Sequence, residues 1–376
     1  MEWGLGHAAR MIPVAKMLKD MNHNIFVGSG EEHLMFFRNE LPGLTYIKFP
    51  GFNPRYSRFL PQYLALLLKT PALLYHIILE HARLKNVIRE HSIDIVISDN
   101  RFGLWNKKVT SVYVTHMPLI PFPKRLKSLE FIGISLHRKI INNYSFCFIP
   151  DLPGDLNVSG RLSHGIKLPS NVRYIGILSR LQNESTSADD SSEVQQNLAI
   201  LSGPEPQREI FRQKLIMLFK DKEPGIVILG GRPAKKDDAV KTGNITFYNH
   251  LPATEMKHLI ERSHNIISRS GYTTIMELIS LNRSALLIPT PGQTEQEYLA
   301  EYLSGKGWFS TIAQGELKNG IRLTEAEAVG TSELTKQSQG LLINVLNELL
   351  EYSHKNSKSG KPGQKAEPNL QRAMGI

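Results

Sequence analysis

The feature that most constrains this chain is an alternation that runs along it twice. Short apolar runs rich in β-branched and aromatic residues, "NHNIFVGSG", "LTYIKFP", "DIVISDN", "SVYVTH", "YSFCFIP" and "VRYIGILS", are interleaved with stretches whose apolar residues recur at helical spacing. The first such stretch carries Ala8, Met11, Ala15 and Leu18, and a long one runs from about Leu73 to Glu90. Strands alternating with helices predict a parallel, doubly wound α/β sheet. The segment "RLQNESTSADDSSEVQQ" then offers almost nothing to bury and reads as a linker or surface loop. After it the pattern restarts with "NLAILSGPEPQREIFRQKLI", a strand, a glycine turn and a helix, and continues through "GIVILGG", "ITFYNHL", "NIISRSG" and "SALLIPTP". The expected organisation is a Rossmann-like domain over residues 1–178, a linker over 179–196, a second Rossmann-like domain over 197–354 ending in a helix from about Ser332 to Tyr352, and a disordered tail over 355–376.

The opening, "MEWGLGHAAR", is a glycine turn running into a helix with no strand before it. In a doubly wound sheet the strand before that turn is central, so the first N-terminal strand is expected to be missing. The expectation is that the true start lies upstream and that Met1 is an internal methionine at the end of that strand. The alternative is a genuine short form with a damaged first lobe.

Composition narrows the class. At 376 residues, 41% hydrophobic and 21% charged, two ordinary globular domains fit. The single cysteine, Cys147, excludes an intramolecular disulfide, and neither a secretory signal nor an 18-residue uncharged run is present, so a cytoplasmic protein is expected. Residues 1–180 hold 23 of the 45 Lys and Arg but only 12 of the 35 Asp and Glu, leaving 22 against 23 for the rest. A basic first half suits nucleic acid, an anionic membrane surface or a phosphorylated substrate. No nucleic-acid motif accompanies the charge, so nucleic acid is not expected as a partner. "RYSRFLPQYLALLLKTPALLYHIILEHARL" and "PKRLKSLEFIGISLHRKI" mix basic with apolar residues, as peripheral contact with an anionic membrane requires; core helices with solvated charged faces would read the same way.

The densest chemistry lies in "NIISRSGYTTIMELISLNRSALLIPTPGQTEQEYLAEYL", residues 265–303. A strand ends near Ser270, Gly271 allows close backbone approach, and Tyr272 to Thr274 open a helix whose free amides and dipole suit a phosphate; Thr273 and Arg269 are further candidates there. Glu277, one turn on, is placed for a ribose diol. Gln293 and Gln296 follow the next strand, at the carboxyl edge where open α/β sheets bind ligands, and suit sugar hydroxyls. Ser202 and Gly203 stand at another helix entrance. The absence of any Asp-x-Asp agrees with a metal-independent site, and no cofactor is expected.

This segment resembles the C-terminal domain of family 28 glycosyltransferases, the group that includes the N-acetylglucosaminyltransferase of peptidoglycan lipid intermediates and the plant galactolipid synthases. "GLGHAARMIP" is similar to the same family's N-terminal Gly-x-Gly-His turn. The resemblance implies the GT-B fold, two Rossmann-like lobes facing across a cleft, with a UDP-sugar bound mainly by the second lobe and a lipid-linked or glycan acceptor by the first. It also implies inverting transfer of a hexosyl or N-acetylhexosaminyl group. His7 is the candidate base, its alternatives being a cap or packing residue or, by the resemblance, a contact to the acceptor or the leaving diphosphate. Asp99 is an alternative base or its orienting partner, and His116 has a similar standing, while Asn249 to Leu251 occupy the loop where the resemblance implies backbone contact with the nucleotide base. A UDP-sugar hydrolase or epimerase of the same fold, or a non-catalytic nucleotide-binding protein, remains the alternative.

Overall fold

The computed structural model describes residues 5–52, 69–122, 124–182, 196–232, 239–317, 332–359 and 372–375. The first half contains α1 (Leu5–Asp20), β1 (Asn24–Ser29), α2 (Glu31–Glu40), β2 (Thr45–Lys48), α3 (Thr70–His91), β3 (Ile95–Asp99), β4 (Thr110–Val114), α4 (Glu130–Ile141), β5 (Phe146–Ile149) and β6 (Val172–Tyr174). The second contains β7 (Gln196–Ile200), α5 (Gln207–Phe219), β8 (Ile226–Leu229), β9 (Val240–Thr242), β10 (Ile245–Tyr248), α6 (Ala253–Arg262), β11 (Ser263–Ser268), α7 (Tyr272–Ser280), β12 (Leu286–Leu287), α8 (Thr294–Gly305) and β13 (Ser310–Thr311). The chain closes with α9 (Ser332–Ser338), α10 (Leu341–Ser359) and β14 (Arg372–Gly375). Each strand that the apolar runs predict is present.

Two seven-stranded sheets result. Their orders are β2-β1-β14-β3-β4-β5-β6 and β13-β12-β11-β7-β8-β10-β9, parallel throughout except for the antiparallel β9–β10 pair. The central strands β3, β4 and β5 are buried at every position, because helices cover both faces of a parallel sheet. This is the doubly wound α/β architecture expected, with a cleft between the lobes.

The first sheet has its central strand from an unexpected source. No strand precedes α1 among the described residues, and the slot between β1 and β3 is taken by β14, from the other end of the chain. Ile25 pairs with Ala373 and Val27 with Gly375 on one side; Ala373 pairs with Ile95 and Gly375 with Ile97 on the other. Arg372 anchors the strand: its amide donates to Asp94 Oδ2 at 3.0 Å, and its carbonyl accepts from the Asp94 amide at 3.0 Å. Alternation does the rest. Met374 is fully buried with Phe49, Leu84, Val96 and Leu104, while Ala373 and Gly375 face α1 and leave an apolar cavity of about 50 Å³ beneath it.

The expected disordered tail over 355–376 is therefore corrected in two pieces. Residues up to Ser359 continue α10, and Arg372–Gly375 form a strand, because β1 and β3 flank a slot whose backbone groups need partners more than they need a long apolar sequence. The final helix, expected as one element of the second domain, is two, broken at Gly340 with φ +81°. Its longer part packs on the first lobe: Tyr352 meets Phe146 edge-on at 5.1 Å, and Glu348 accepts from Arg173 at 2.7 Å. The linker expected over 179–196 begins with three buried residues, Ser179, Arg180 and Leu181; residues 183–195 lie outside the described residues.

Two substitutions in β14 should act in opposite directions. Met374→Ala should lower stability by about 2–5 kcal/mol, whereas Ala373→Val, filling the cavity under α1, should raise it by roughly 1 kcal/mol. Denaturant titration checks both, and a neutral Met374→Ala would mean that β14 does not hold the sheet.

Candidate functional site

The cleft is built where two helices begin. The first turns of α1 and α7 face each other across it, so closely that Thr273 Oγ1 donates to the Gly6 carbonyl at 3.0 Å. A β-carbon on Gly6 would stand 3.1 Å from Thr273 Oγ1, a contact tight enough that the threonine would have to shift by a few tenths of an ångström. The lobes also meet through Tyr272 Oη to the Pro150 carbonyl at 2.7 Å and Thr294 Oγ1 to the Pro121 carbonyl at 2.9 Å.

A cavity of about 220 Å³ lies between them. His7, Ser202, Gly203, Gly271, Thr273, Glu277, Gln293 and Gln296, all singled out from sequence, line it, and so do His250 and Leu251 of the loop considered for a base. At its second-lobe wall the amides of Tyr272, Thr273 and Thr274 open α7 without intrahelical acceptors. Beside them Ser202 Oγ is buried and has no partner among the described residues, and Gly203 turns the chain at φ +88° with open space where a side chain would project. Donor amides, a helix dipole and an unpaired hydroxyl together make an anion-binding wall.

The first-lobe wall is a cluster of ionisable groups. Asp99, at the carboxyl end of β3, accepts from Arg10 Nε at 2.6 Å and from Arg10 Nη2, so α1 is tied to the sheet by a bidentate pair. His7 Nδ1 lies 3.2 Å from Asp99 Oδ1 and 2.9 Å from Arg10 Nη2. The ring therefore has two ways to satisfy Nδ1: it accepts from Arg10, or it donates to Asp99 and leaves a lone pair on Nε2. Burial, then Arg10, pulls the His7 pKa down to about 4 against the opposing pull of Asp99. Burial alone would raise the Asp99 carboxyl, but Arg10 and His7 hold it well below the usual carboxylate range. Beyond Arg10 the cluster reaches the other lobe, as His116 Nδ1 lies 2.9 Å from Arg10 Nη1 and His116 Nε2 lies 2.9 Å from Glu295 Oε1. The His116 ring stacks on Tyr272 at 4.1 Å.

Not every candidate points into the cleft. Arg269, read as a phosphate contact, is corrected: its guanidinium is fully buried behind the loop, donates to the carbonyls of Ile288, Pro289 and Gln207 and to Gln314 Oε1, and lies 4.1 Å over the Phe211 ring. Side chains alternate along the extended segment that leaves β11, and this one falls on the sheet side. Ser270 Oγ is likewise spent on the Gln296 carbonyl at 2.8 Å. Gln296 uses Oε1 to accept the Thr290 amide at 2.9 Å, so its amide nitrogen is the part left for a ligand. Glu277 is buried and accepts from Arg180 Nε at 3.0 Å, while Arg180 also pairs with Glu40 of α2, lying 5.1 Å over Phe36. Arg180 thus clasps carboxylates from both lobes at the hinge.

Sequence reasoning missed Arg10, Arg180 and Glu295. Arg10 carried a signal, because it follows His7 by one helical turn and shares its face. Arg180 and Glu295 carried none, since each acts through residues far away in the chain. Among the described residues, no group of three or more His, Cys, Asp or Glu is arranged to hold a metal ion.

Residues 218–355 match the glycosyltransferase family 28 C-terminal domain. A segment of 72 residues is 39% identical to the UDP-N-acetylglucosamine--N-acetylmuramyl-(pentapeptide) pyrophosphoryl-undecaprenol N-acetylglucosamine transferase of Rhodopseudomonas palustris, covering 19% of this chain and 18% of that protein. The chain thus spans less than a fifth of that curated relative. An uncharacterised glycosyltransferase of Methanosarcina acetivorans is 24% identical over 330 residues, 81% of this chain and 82% of the relative. Among solved structures, the glycosyltransferase SnogD of Streptomyces nogalater superposes with a TM-score of 0.58 at 14% identity, covering 93% of this chain and 97% of that one. The calicheamicin glycosyltransferase CalG4 superposes with a TM-score of 0.53 at 11% identity, over 96% and 97%. These likenesses establish the two-lobed GT-B fold.

A pH dependence of stability follows from the buried imidazoles. His7, His137 and His250 are each lowered from 6.5 to about 4, burial being the largest cause in every case. Between those values the unfolded chain binds protons that the folded protein refuses, so stability falls as pH drops from 6.5 towards 4. Thermal melting across that range should show the decline, and His137→Gln, away from the cleft, should flatten it. An unchanged slope in the variant would remove His137 from the account.

Proposed function

We propose that this chain, a family 28-like protein of the GT-B fold, transfers a glycosyl group from a nucleotide sugar in the second lobe to an acceptor hydroxyl at the first. The observation that carries this reading is the convergence, on one cavity, of the α7 amides and the unpartnered Ser202 hydroxyl from one side and the His7–Asp99 pair from the other.

The chemistry follows from that arrangement. The donor diphosphate lies against the amides of Tyr272 to Thr274 and the positive end of α7, which stabilise the charge it gains on leaving and require no metal. The ribose of a uridine donor meets Glu277, and the sugar hydroxyls meet Gln293 and Gln296. In the tautomer that donates Nδ1–H to Asp99, His7 Nε2 takes the acceptor hydroxyl proton as the acceptor oxygen forms its bond to the anomeric carbon. The carbon–oxygen bond to the diphosphate breaks on the opposite face, so configuration inverts and the diphosphate departs with the electron pair. The proposed donor is a UDP-hexose or UDP-N-acetylhexosamine, the second being supported by the similarity to the N-acetylglucosamine transferase of Rhodopseudomonas palustris.

The acceptor we propose is lipid-linked and reaches the site from a membrane surface on the cytoplasmic side. Leu74, Tyr75 and Ile78 of α3 and Phe131, Ile132 and Leu136 of α4 are all more than half exposed, Ile78 at 68% and Phe131 at 66%. They are therefore not the core residues that a soluble reading of these stretches requires. Both helices pack on the loop after β3: the His81 and Trp105 rings meet at a tilt with centroids 4.6 Å apart, and His137 meets Phe102 edge-on at 5.9 Å. Lys127, Arg138 and Lys139 add positive charge near this apolar surface. Arg55 and Arg58 lie outside the described residues. No helix among the described residues is long and apolar enough to cross a membrane.

Calorimetric titration with UDP, GDP and dTDP should show selective UDP binding that collapses in Glu277→Ala; no uridine preference in a folded protein would sink the donor assignment. With a turned-over donor and acceptor, His7→Ala should lower kcat by about 10²–10⁴-fold, and donor consumption without acceptor would instead favour hydrolysis. Co-sedimentation with vesicles should be strong for anionic lipid and weak for zwitterionic lipid, and Ile78→Glu with Phe131→Glu should abolish it. Equal sedimentation of the double variant would remove the membrane from the reading.

A further inference from the structure

What holds Glu277 in place comes from outside the second lobe's sheet. This carboxylate lines the cleft cavity one turn into α7, and at such burial it requires a cation or several donors. Its Oε1 accepts from Arg180 Nε at 3.0 Å, which leaves Oε2 as the oxygen that a ligand in the cavity can meet. Arg180 itself belongs to the segment between β6 and β7, where the chain passes from one lobe to the other.

The same guanidinium is gripped from the first lobe. Its Nη1 pairs with Glu40 at the end of α2, and its central carbon lies 5.1 Å from the centroid of the Phe36 ring, one turn earlier on that helix. Nη2 donates to Met256 Sδ of α6 at 3.0 Å, and a thioether is a weak acceptor, so the two carboxylates are the strong partners. The Arg180 side chain is 5% exposed and each glutamate side chain 6%, so none of the three can turn to water instead. His250 Nε2 stands 3.9 Å from Glu40 Oε1, but burial and then Arg180 lower its pKa to about 4, so it is neutral near pH 7 and does not compete as a cation for Glu40. A guanidinium is a rigid planar fork, which fixes the angle between a carboxylate on Nε and one on Nη1. With Glu277 on the second lobe and Glu40 on the first, the direction in which Glu277 presents Oε2 depends on where α2 stands.

We propose that Arg180 is a positioning residue for nucleotide recognition: it aims Oε2 of Glu277 at the ribose 2′- and 3′-hydroxyls, and its pairing with Glu40 sets that aim from the first lobe. This rests on the reading of Glu277 as the ribose partner. The consequence is a site that separates ribonucleotides from 2′-deoxyribonucleotides while α2 holds Arg180, because a nucleotide without the 2′-hydroxyl gives up a hydrogen bond to a charged group.

The test is calorimetric titration of the full chain with UDP and with 2′-deoxyuridine diphosphate, and the readout is the ratio of the two affinities. The parent should prefer UDP by about 10–100-fold. Glu277→Gln, Arg180→Lys, which keeps the charge without the fork, and Glu40→Ala should each reduce the preference to about threefold or less, through weaker UDP binding, with the deoxynucleotide little affected. Glu40→Gln, which retains an acceptor for Nη1, should recover most of the preference. Glu40→Ala combined with Glu277→Gln should lower the ratio no further than Glu277→Gln alone, because both act on one contact. Circular dichroism establishes that each variant is folded; should Arg180→Lys fail to fold, Glu40→Ala, which leaves the Arg180–Glu277 pair intact, carries the same expectation. A purely structural role would weaken both nucleotides by the same factor, and that result, or a parental ratio in Arg180→Lys and Glu40→Ala when Glu277→Gln has lost it, would overturn the positioning role alone. A parent that binds the two nucleotides equally would remove the ribose reading and the proposal with it.

Discussion

A buried guanidinium that has no water to fall back on must be surrounded by acceptors, and Arg10 meets that demand with groups from three parts of the chain. Asp99 comes from the end of β3, His116 from the loop after β4, and His7 from one turn earlier on α1. Removing Asp99 from such an ensemble leaves an uncompensated buried charge, which costs about 3–5 kcal/mol. The ends of two strands and the start of one helix are therefore held in register by a single side chain, and the cleft inherits its first-lobe wall from that constraint.

The second lobe meets this wall with the opposite kind of surface. It presents amides, a helix dipole and the Ser202 hydroxyl rather than a buried cation, and Arg269, the charge that stood nearest in sequence, is turned into the core. A wall of neutral donors can receive an anion without itself having to be desolvated as an ion. Arg180, buried at the hinge, joins Glu40 to Glu277 and so ties that second-lobe carboxylate to the angle between the lobes. Both ends of the cleft are thus sensitive to closure, one through Arg180 and the other through Glu295.

The first sheet takes a strand between β1 and β3 from a segment far away in the chain. Its centre is occupied by four residues from the far end of the chain, and the neighbouring strands accept them because a parallel slot selects on backbone pairing and on one large side chain, Met374, rather than on a long apolar run. The cost is visible as the cavity under α1, where Ala373 and Gly375 are too small to fill the space. That cavity reaches His7 and Asp99, so the packing of β14 and the placing of these two side chains belong to one region.

Much of this was legible in the residues themselves. The doubled alternation of strands and helices, the glycine turn with His7, and the second-lobe loop with Gly271, Thr273 and Glu277 are local patterns, and local patterns survive into the fold because they are set by backbone periodicity and by which groups a helix start leaves unpaired. What sequence could not supply is everything that depends on two distant segments meeting. The slot that turns a polar tail into a central strand, the side of the loop to which Arg269 turns, and the reach of Glu295 across the cleft to His116 are of this kind. By itself the sequence determined the elements and the glycine turn that opens α7; only the tertiary structure decided which charges would be buried together, because the free energy of a buried ion depends on partners that no local spacing encodes.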